Sequence, residues 1–577
     1  MDSAFGPWNP GIESQIPNPL LALATLYRSE HARTPLRDVR EIADLTGLPL
    51  RDIVAFRPER LALHELLVRV TADISVPDGT RIEDLGINFR RITSTMLERD
   101  IMPRMDAIRT AYTRAREAIG ETVSGELGRL YAPPPAPVPR EGWLARLRGS
   151  RAIATPPPTS ERELIAEWET RAREVEGAER AALRALSRLV SALVVRHERV
   201  WADRGLVARV ASDMAANEWG SAAIGAAIEP MIADAVEREG YRVLRRQDRP
   251  VVMNTKGPSA AGKSTMRPLQ KQLAGRIGVD WAEFALISPD IWRKQLLDYG
   301  SLGEAYKYAG AFTGDELAIV DQKLDRYMAR KAQRGEMSHL LIDRFRFDSF
   351  APHSEEAGSN LLTRFGEIVY LFFLVTPPAA LVERAWNRGL DVGRYKAVDD
   401  TLAHSVEAYS GMPELFFTWI RRTDKRVHFE FLDNTVTRGA PPRTAAFGWN
   451  EVMNILDVDC LIDIERYQKI NVDAQGPPAL HRDPADLAIA RNVEFLRRCL
   501  REFREVNFSE QSTGRIYLRV ELGVVTYVDA PPDAAKNVLD NVLPGTSFVK
   551  SGEPRYLDAD ERVHTVGAWR DAGAVVT

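Results

Sequence analysis

The run Gly257-Pro258-Ser259-Ala260-Ala261-Gly262-Lys263-Ser264-Thr265 constrains this chain more than any other stretch. Its spacing is G-x-x-x-x-G-K-[ST]. Glycines at the first and sixth places let the backbone turn tightly and aim successive N–H groups at one point. A helix starting near Lys263 aims the positive end of its dipole there too. Such a cradle suits a phosphate: Lys263 reaches the β- and γ-phosphates of ATP, and the Ser264 hydroxyl can sit on Mg²⁺. The flanks agree. The apolar run 250–254 predicts a strand before the loop, and 264–276 predicts a helix after it. Pro268 falls early in that helix, where a missing N–H costs least. Gly257, Ser259, Ala260, Ala261, Gly262, Lys263, Ser264 and Thr265 are therefore the expected ATP-binding set.

The surroundings carry the same periodicity. Short apolar runs at 284–288, 339–343, 368–375, 427–432 and 460–464 alternate with helical patterns. That alternation predicts an α/β core, a parallel sheet between helices. Residues 1–131 read as a mainly helical N-terminal domain, with helical segments near 18–26, 37–46, 58–73 and 87–118. Two proline-rich stretches make 132–160 a stiff linker. Residues 161–245 read as a helical hairpin or connector, with one apolar stripe of 3–4 spacing over 161–200, interrupted at Gly177 and Glu179. The core spans 246–470. Residues 471–577 read as a small α+β appendage, with a helix over 484–506 and strands at 515–522 and 524–528.

At roughly 100–200 residues per domain, 577 residues suggest three to five units. A net charge of −4 gives no global argument for a nucleic-acid partner. Cys460 and Cys499 are the two cysteines, too few for a disulfide framework or a zinc site, and are expected to be buried apolar residues. No basic-then-apolar leader opens the chain, and no run of about 18 apolar residues predicts a membrane span. A cytoplasmic protein is the expectation, with delivery to another cell left open.

The acceptor side of a transfer reaction must lie beyond the carboxyl ends of the strands. Asp290 follows the second core strand in Ser288-Pro289-Asp290-Ile291-Trp292-Arg293. It can take the proton of an incoming hydroxyl, or it can cap a helix. Asp343 ends the third strand and can hold Mg²⁺ as Ser264 does. Arg293, Asp343, Arg344 and Arg346 form the expected substrate-side set, suited to an anionic substrate, with a structural ion pair as the alternative for the strand-end segment 343–346. After the fourth strand, Arg384 and Arg388 lie four apart on one helical face, with Arg394 beyond them. Arginines there can neutralise a transferring phosphoryl group, or can simply be solvated. Residues 389–396 have the glycine spacing of a lid.

These motifs together resemble the zeta-toxin group of P-loop kinases. The likeness rests on the 257–265 loop, the Asp290-Ile291-Trp292-Arg293 box, the Asp343-Arg344-Phe345-Arg346 segment and the arginine-bearing helix after Thr376. It covers about 250–440, roughly a third of the chain. The resemblance implies that Lys263 and Ser264 hold ATP–Mg²⁺, Asp290 is the general base, and Arg384 or Arg388 stabilises the phosphoryl group. It also implies an acceptor hydroxyl on a nucleotide-linked small molecule, either UDP-N-acetylglucosamine or, as in injected bacterial effectors, NAD. The role would be that of a toxin or effector. An antitoxin partner, or the chain's own N-terminal helices acting as inhibitor, would then follow. This chain departs from compact members by its long N-terminal region, the stretch between Arg293 and Asp343, and its C-terminal appendage. Two other readings stand beside it: a metabolic or polynucleotide kinase on the same core, and a nucleotide-gated interaction protein without phosphotransfer.

Overall fold

The computed structural model describes residues 5–132, 160–344, 366–545 and 552–569. Almost all of the proline-rich linker, and Arg346, lie outside the described residues. The chain divides into two compact units.

One unit comprises Leu21–Leu67 and Thr93–Glu239. It is helical, as its 3–4 apolar spacing predicts. Its longest helix is Met105–Leu130, joined by Glu161–Glu174, Gly177–His197, Arg204–Ala215 and Ser221–Glu239. The single apolar stripe predicted over 161–200 is two helices that pack on each other. The break falls at Val175 and Glu176, and Gly177 opens the second helix at φ +70°. The first of the pair starts with a reciprocal cap. Ser160 Oγ accepts from the Glu163 amide at 3.2 Å, and Glu163 accepts from the Ser160 amide at 2.7 Å. Trp168, fully buried, donates its indole N–H to Glu126 at 2.8 Å.

The other unit comprises Met1–Leu20, Val68–Ile92 and Gly240–Thr577. It holds one 11-stranded sheet, in the order β10-β9-β8-β7-β6-β5-β4-β1-β3-β2, with β11 on β9. The strands are β1 Val251–Lys256, β2 Phe284–Ile287, β3 His339–Ile342, β4 Ile368–Val375, β5 Arg426–Asp433, β6 Arg443–Trp449, β7 Val452–Ile455, β8 Glu505–Ser509, β9 Arg515–Glu521, β10 Val524–Val528 and β11 Arg555–Tyr556. The first five run parallel, in the spatial order β2-β3-β1-β4-β5. Their sequences are nearly unbroken apolar runs, as strands covered on both faces require. Seven of the eight residues of β4 are buried. Phe373 stacks on Phe431 of β5, 4.8 Å between centroids, with Phe416 edge-on to both. Burying each such ring is worth about 2–3 kcal/mol.

Beyond β5 the sheet becomes mixed: β6 is antiparallel to both β5 and β7, and β8 returns parallel to β7. The predicted small appendage therefore continues the same sheet. Its helix is shorter than expected: Glu494–Glu502 is helical, but Val506 lies in β8. The run 460–464, expected as a strand, is part of the helix Val458–Arg466. Asp457 caps it, accepting from the Asp459 and Cys460 amides at 3.1 Å each. An apolar pentapeptide fits either element, and the cap decides it here. Cys460 and Cys499 are free and buried. Among the described residues, no helix is long and apolar enough to cross a membrane.

Candidate functional site

Five parallel strands put five carboxyl ends on one edge. Along that edge lie the 257–265 loop, Asp290, Asp343, Thr376 and Asn434, each just after its strand. β1 sits at the centre, and the chain leaves it first toward β2 and β3, later toward β4 and β5. That reversal opens a crevice at the end of β1, the usual ligand position of such sheets.

The loop needs its glycines. A Cβ on Gly257, at φ +156°, would come 3.0 Å from Leu374 Cβ and 3.1 Å from its carbonyl. A Cβ on Gly262, at φ +95°, would come 2.8 Å from Asn434 Nδ2. That amide donates to the Ala261 carbonyl at 2.7 Å, tying the loop to the end of β5. Ala260 holds φ +65°, at a cost of about 1 kcal/mol. The expected helix from Ser264 begins instead with a 3₁₀ turn, Lys263–Met266, followed by the α-helix Arg267–Arg276 with Pro268 in its first turn. Thr265 turns its hydroxyl back onto the Gly262 carbonyl, at 2.6 Å. Ser259 is partly exposed on the loop.

Lys263 Nζ curls onto its own loop, 3.0 Å from the carbonyls of both Gly257 and Pro258. Burial lowers its pKa, Asp343 and Asp290 oppose that, and Arg394 and Arg388 add to it. Ser264 Oγ donates to Asp343 Oδ2 at 2.8 Å, and Ser288 Oγ lies 3.4 Å from the same oxygen. Two hydroxyls around one carboxylate oxygen are hard donors, and Mg²⁺ takes one or two carboxylates with waters and phosphates. The pair Ser264 and Asp343 fits that ion. Among the described residues no group of three His, Cys, Asp or Glu forms a metal cage.

Asp290 lies in a 3₁₀ turn, Pro289–Trp292, with its side chain 43% exposed. It faces two arginines: Arg293 Nε donates to Oδ1 at 2.9 Å and Arg394 Nη2 to Oδ2 at 2.5 Å. Crowding by protein atoms would raise its pKa, but Arg394 and Arg293 outweigh it and hold the carboxyl far below the usual range. Arg293 is itself fixed, donating to the Gly310 carbonyl at 2.6 Å and Thr313 Oγ1 at 2.7 Å. Trp292, fully buried, donates to Thr71 Oγ1 at 3.1 Å and anchors the turn.

The helix Pro378–Val392 carries the remaining arginines. Arg388 donates Nε to the Arg394 carbonyl at 3.4 Å, and among the described residues no carboxylate lies within 4.0 Å of it. Burial, then Arg394, push its pKa down to about 9, with Asp290 opposing. Arg384 donates to the carbonyls of Asn434 and Val436, at 2.6 and 3.4 Å. It braces the segment that ties down the loop. Arg344 faces inward. Its side chain is 2% exposed and pairs with Asp321 at 2.7 Å and Asp325 at 2.5 Å, both on the helix Gly314–Gln333. Its carbonyl accepts from Lys256 Nζ at 3.3 Å.

Lys263, Ser264, Asp290, Asp343 and Arg388 thus converge, while Arg384 and Arg344 brace the site from behind. Sequence reasoning put Arg394 in a lid without giving it a partner, and missed Asn434, Tyr299 and Lys396. Tyr299 lies beside Asp290 and Arg394; burial raises its pKa, with Arg293 and Arg394 opposing. Only Arg394 carried a signal, its place directly after the lid glycine Gly393; the others depend on how distant loops meet.

No family model matches the chain, and no curated protein matches it. A chain from the PezAT chromosomal toxin–antitoxin system of the human pathogen Streptococcus pneumoniae is similar to part of it, at 16% identity and a TM-score of 0.22, over 33% of this chain and 71% of that one. A likeness that slight carries no chemistry across, and the chemistry rests on the geometry above.

Proposed function

We infer that the carboxyl edge of the parallel strands binds ATP–Mg²⁺ and transfers the γ-phosphoryl group to a hydroxyl of a small, nucleotide-linked molecule. The observation that carries this reading is the excess of positive charge there. Lys263, Arg388 and Arg394 crowd one crevice, and among the described residues Arg388 has only a carbonyl as partner. A polyanion resolves that excess. The glycine loop offers its amides to the same anion.

Lys263 exchanges its two loop carbonyls for β- and γ-phosphate oxygens. Ser264 and Asp343 would hold Mg²⁺, which supplies charge neutralisation for the phosphates. Arg394 leaves Asp290 for the transferring group, and Arg388 supports it. The carboxylate, freed of one of its two arginines, gains basicity and takes the proton of the acceptor hydroxyl. The acceptor oxygen bonds to the γ-phosphorus, the bond to the β-γ bridging oxygen breaks, and ADP leaves. Arg293 holds Asp290 in place throughout. UDP-N-acetylglucosamine and NAD are the acceptors that the zeta-toxin resemblance favours, with a toxin or effector role, and an antitoxin or the chain's helical unit as the restraining partner.

The decisive experiment incubates the protein with ATP–Mg²⁺ and a panel of UDP-sugars and NAD(P), read by mass spectrometry for one added phosphate. Lys263→Ala, folded by its melting curve, should lose ATP binding by at least about 100-fold in calorimetry. Unchanged affinity in that variant removes the site assignment. ATP binding without any phosphorylated product favours the nucleotide-gated interaction protein, for which the Asp290–Arg394 pair would be the gate.

A further inference from the structure

We propose that Lys396 is a further polyphosphate-binding residue of this crevice, and that it takes up a proton as the anion binds. The inference rests on the nucleotide-binding reading above. Lys396 lies two residues after Arg394, between the helices Pro378–Val392 and Val398–Ile420. Its side chain is 12% exposed. Its Nζ makes a short contact with His404 Nδ1 and lies 3.5 Å from Asp400 Oδ2, both on the second helix.

The charges facing it come from every neighbouring element. Asp400 and His404 lie on the following helix, Arg388 on the preceding one, and Arg394 on the same segment. Lys263, from the glycine loop, acts on His404. Of the carboxylates in this neighbourhood among the described residues, Asp290 is already engaged by Arg293 and Arg394, and Asp343 accepts from Ser264. Asp400 is left facing Lys396, at 38% side-chain exposure. The crevice is therefore short of negative charge.

Burial and the neighbouring cations act on both partners in the same direction. Burial pushes Lys396 down to about 7; Asp400 opposes this, and Arg388 and Arg394 add to it. Burial and then Lys396 push His404 down to about 4, so the imidazole is neutral at physiological pH and can accept from the lysine. Every cation that lowers Lys396 is one a polyphosphate would neutralise. Once an anion is seated, the penalty on a charged Lys396 falls and its pKa rises. The ammonium then donates to a non-bridging phosphate oxygen, and the proton comes from solvent.

The test is calorimetry of ATP and of inorganic tripolyphosphate binding at pH 8, in two buffers of different ionisation enthalpy. A lysine with a pKa of about 7 is mostly neutral at pH 8, so the wild-type protein should take up as much as about 0.9 proton per anion. Lys396→Arg, permanently charged, should bind with no such uptake. Lys396→Met should bind about tenfold more weakly, also without uptake. Uptake that persists in Lys396→Arg, or none in the wild-type protein, overturns the inference while ATP binding stands. If neither ATP nor tripolyphosphate binds the wild-type protein, both readings fall. Should Lys396→Met not fold, Lys396→Arg decides alone.

Discussion

The two halves of the sheet treat their arginines differently. In the mixed half, three arginines along the strands meet a carboxylate: Arg443 pairs with Asp433, Arg515 with Glu510 at 2.9 Å, and Arg519 with Glu505 at 3.4 Å. At the carboxyl edge of the parallel half, Arg388 has, among the described residues, only a backbone carbonyl. Yet the parallel half also contains Arg344, which is more buried than any of these and holds two carboxylates. Pairing marks an arginine that holds the fold. An arginine left with carbonyls at a strand-end crevice is one whose partner has to arrive from outside.

Asp290→Asn breaks the comparison most sharply, since it removes the carboxylate that pairs with both Arg394 and Arg293. As a base it should be worth about 10²–10⁴-fold in kcat, with ATP still bound and the melting temperature little changed. Near-normal turnover in a phosphotransfer assay would return Asp290 to a structural role. Arg344→Ala should instead act on stability. It takes a buried cation away from Asp321 and Asp325, 4% and 8% exposed, and should cost about 3–5 kcal/mol in a denaturant titration. Arg388→Ala is the counterpart with the opposite profile: kcat lower by about 10–100-fold and stability unchanged or raised, because buried like charges are relieved. Loss of stability without loss of turnover would make Arg388 another Arg344.

A smaller effect tests a buried carboxyl in the parallel half. Glu430 of β5 is fully buried, accepts from the Val566 and Gly567 amides at 2.7 and 2.9 Å, and hydrogen-bonds Thr444 at 2.7 Å. Burial raises its pKa to about 7, against those hydrogen bonds. A carboxyl raised in the folded state favours folding while protonated. Its contribution is therefore full below about pH 4.5, declines as pH rises through about 7, and is absent above. The change should be about 1–3 kcal/mol across that window, and Glu430→Gln should flatten it. Smallest of all, Arg443→Ala should cost at most about 1 kcal/mol, since its side chain is 48% exposed.

Much of this was legible in the residues. The apolar runs before Gly257, Asp290 and Asp343 place all three residues beyond strand ends, and β1 to β5 fall within a residue or two of their predicted positions. What escaped was what depends on partners. β6 and β7, in RTAAFGW and VMNI, carry small or polar residues where a free strand would show alternation; they are strands because β5 offers an edge. Arg344 and Arg388 have the same side chain near a strand end or a helix end, and only the helix Gly314–Gln333, with Asp321 and Asp325, separates their fates. Lys396 looks like any surface lysine until His404 and Asp400 close over it.

The order of the strands also sets a timetable. β1 is the middle strand of the parallel set, yet it leaves the ribosome before either neighbour. Its bond from the Val251 amide to the His339 ring waits 88 residues for its partner, and β4 follows later still. A nascent chain with only the glycine loop exposed therefore has nothing to hold that loop, and non-local pairing of this kind folds slowly. β5 in turn stays a bare edge until β6 is made. A chain cut between the two would present Arg426–Asp433, seven of its eight residues meant for burial, to any other strand it met. Expression of a shortened fragment of the parallel half should accordingly yield inclusion bodies unless β6 is retained.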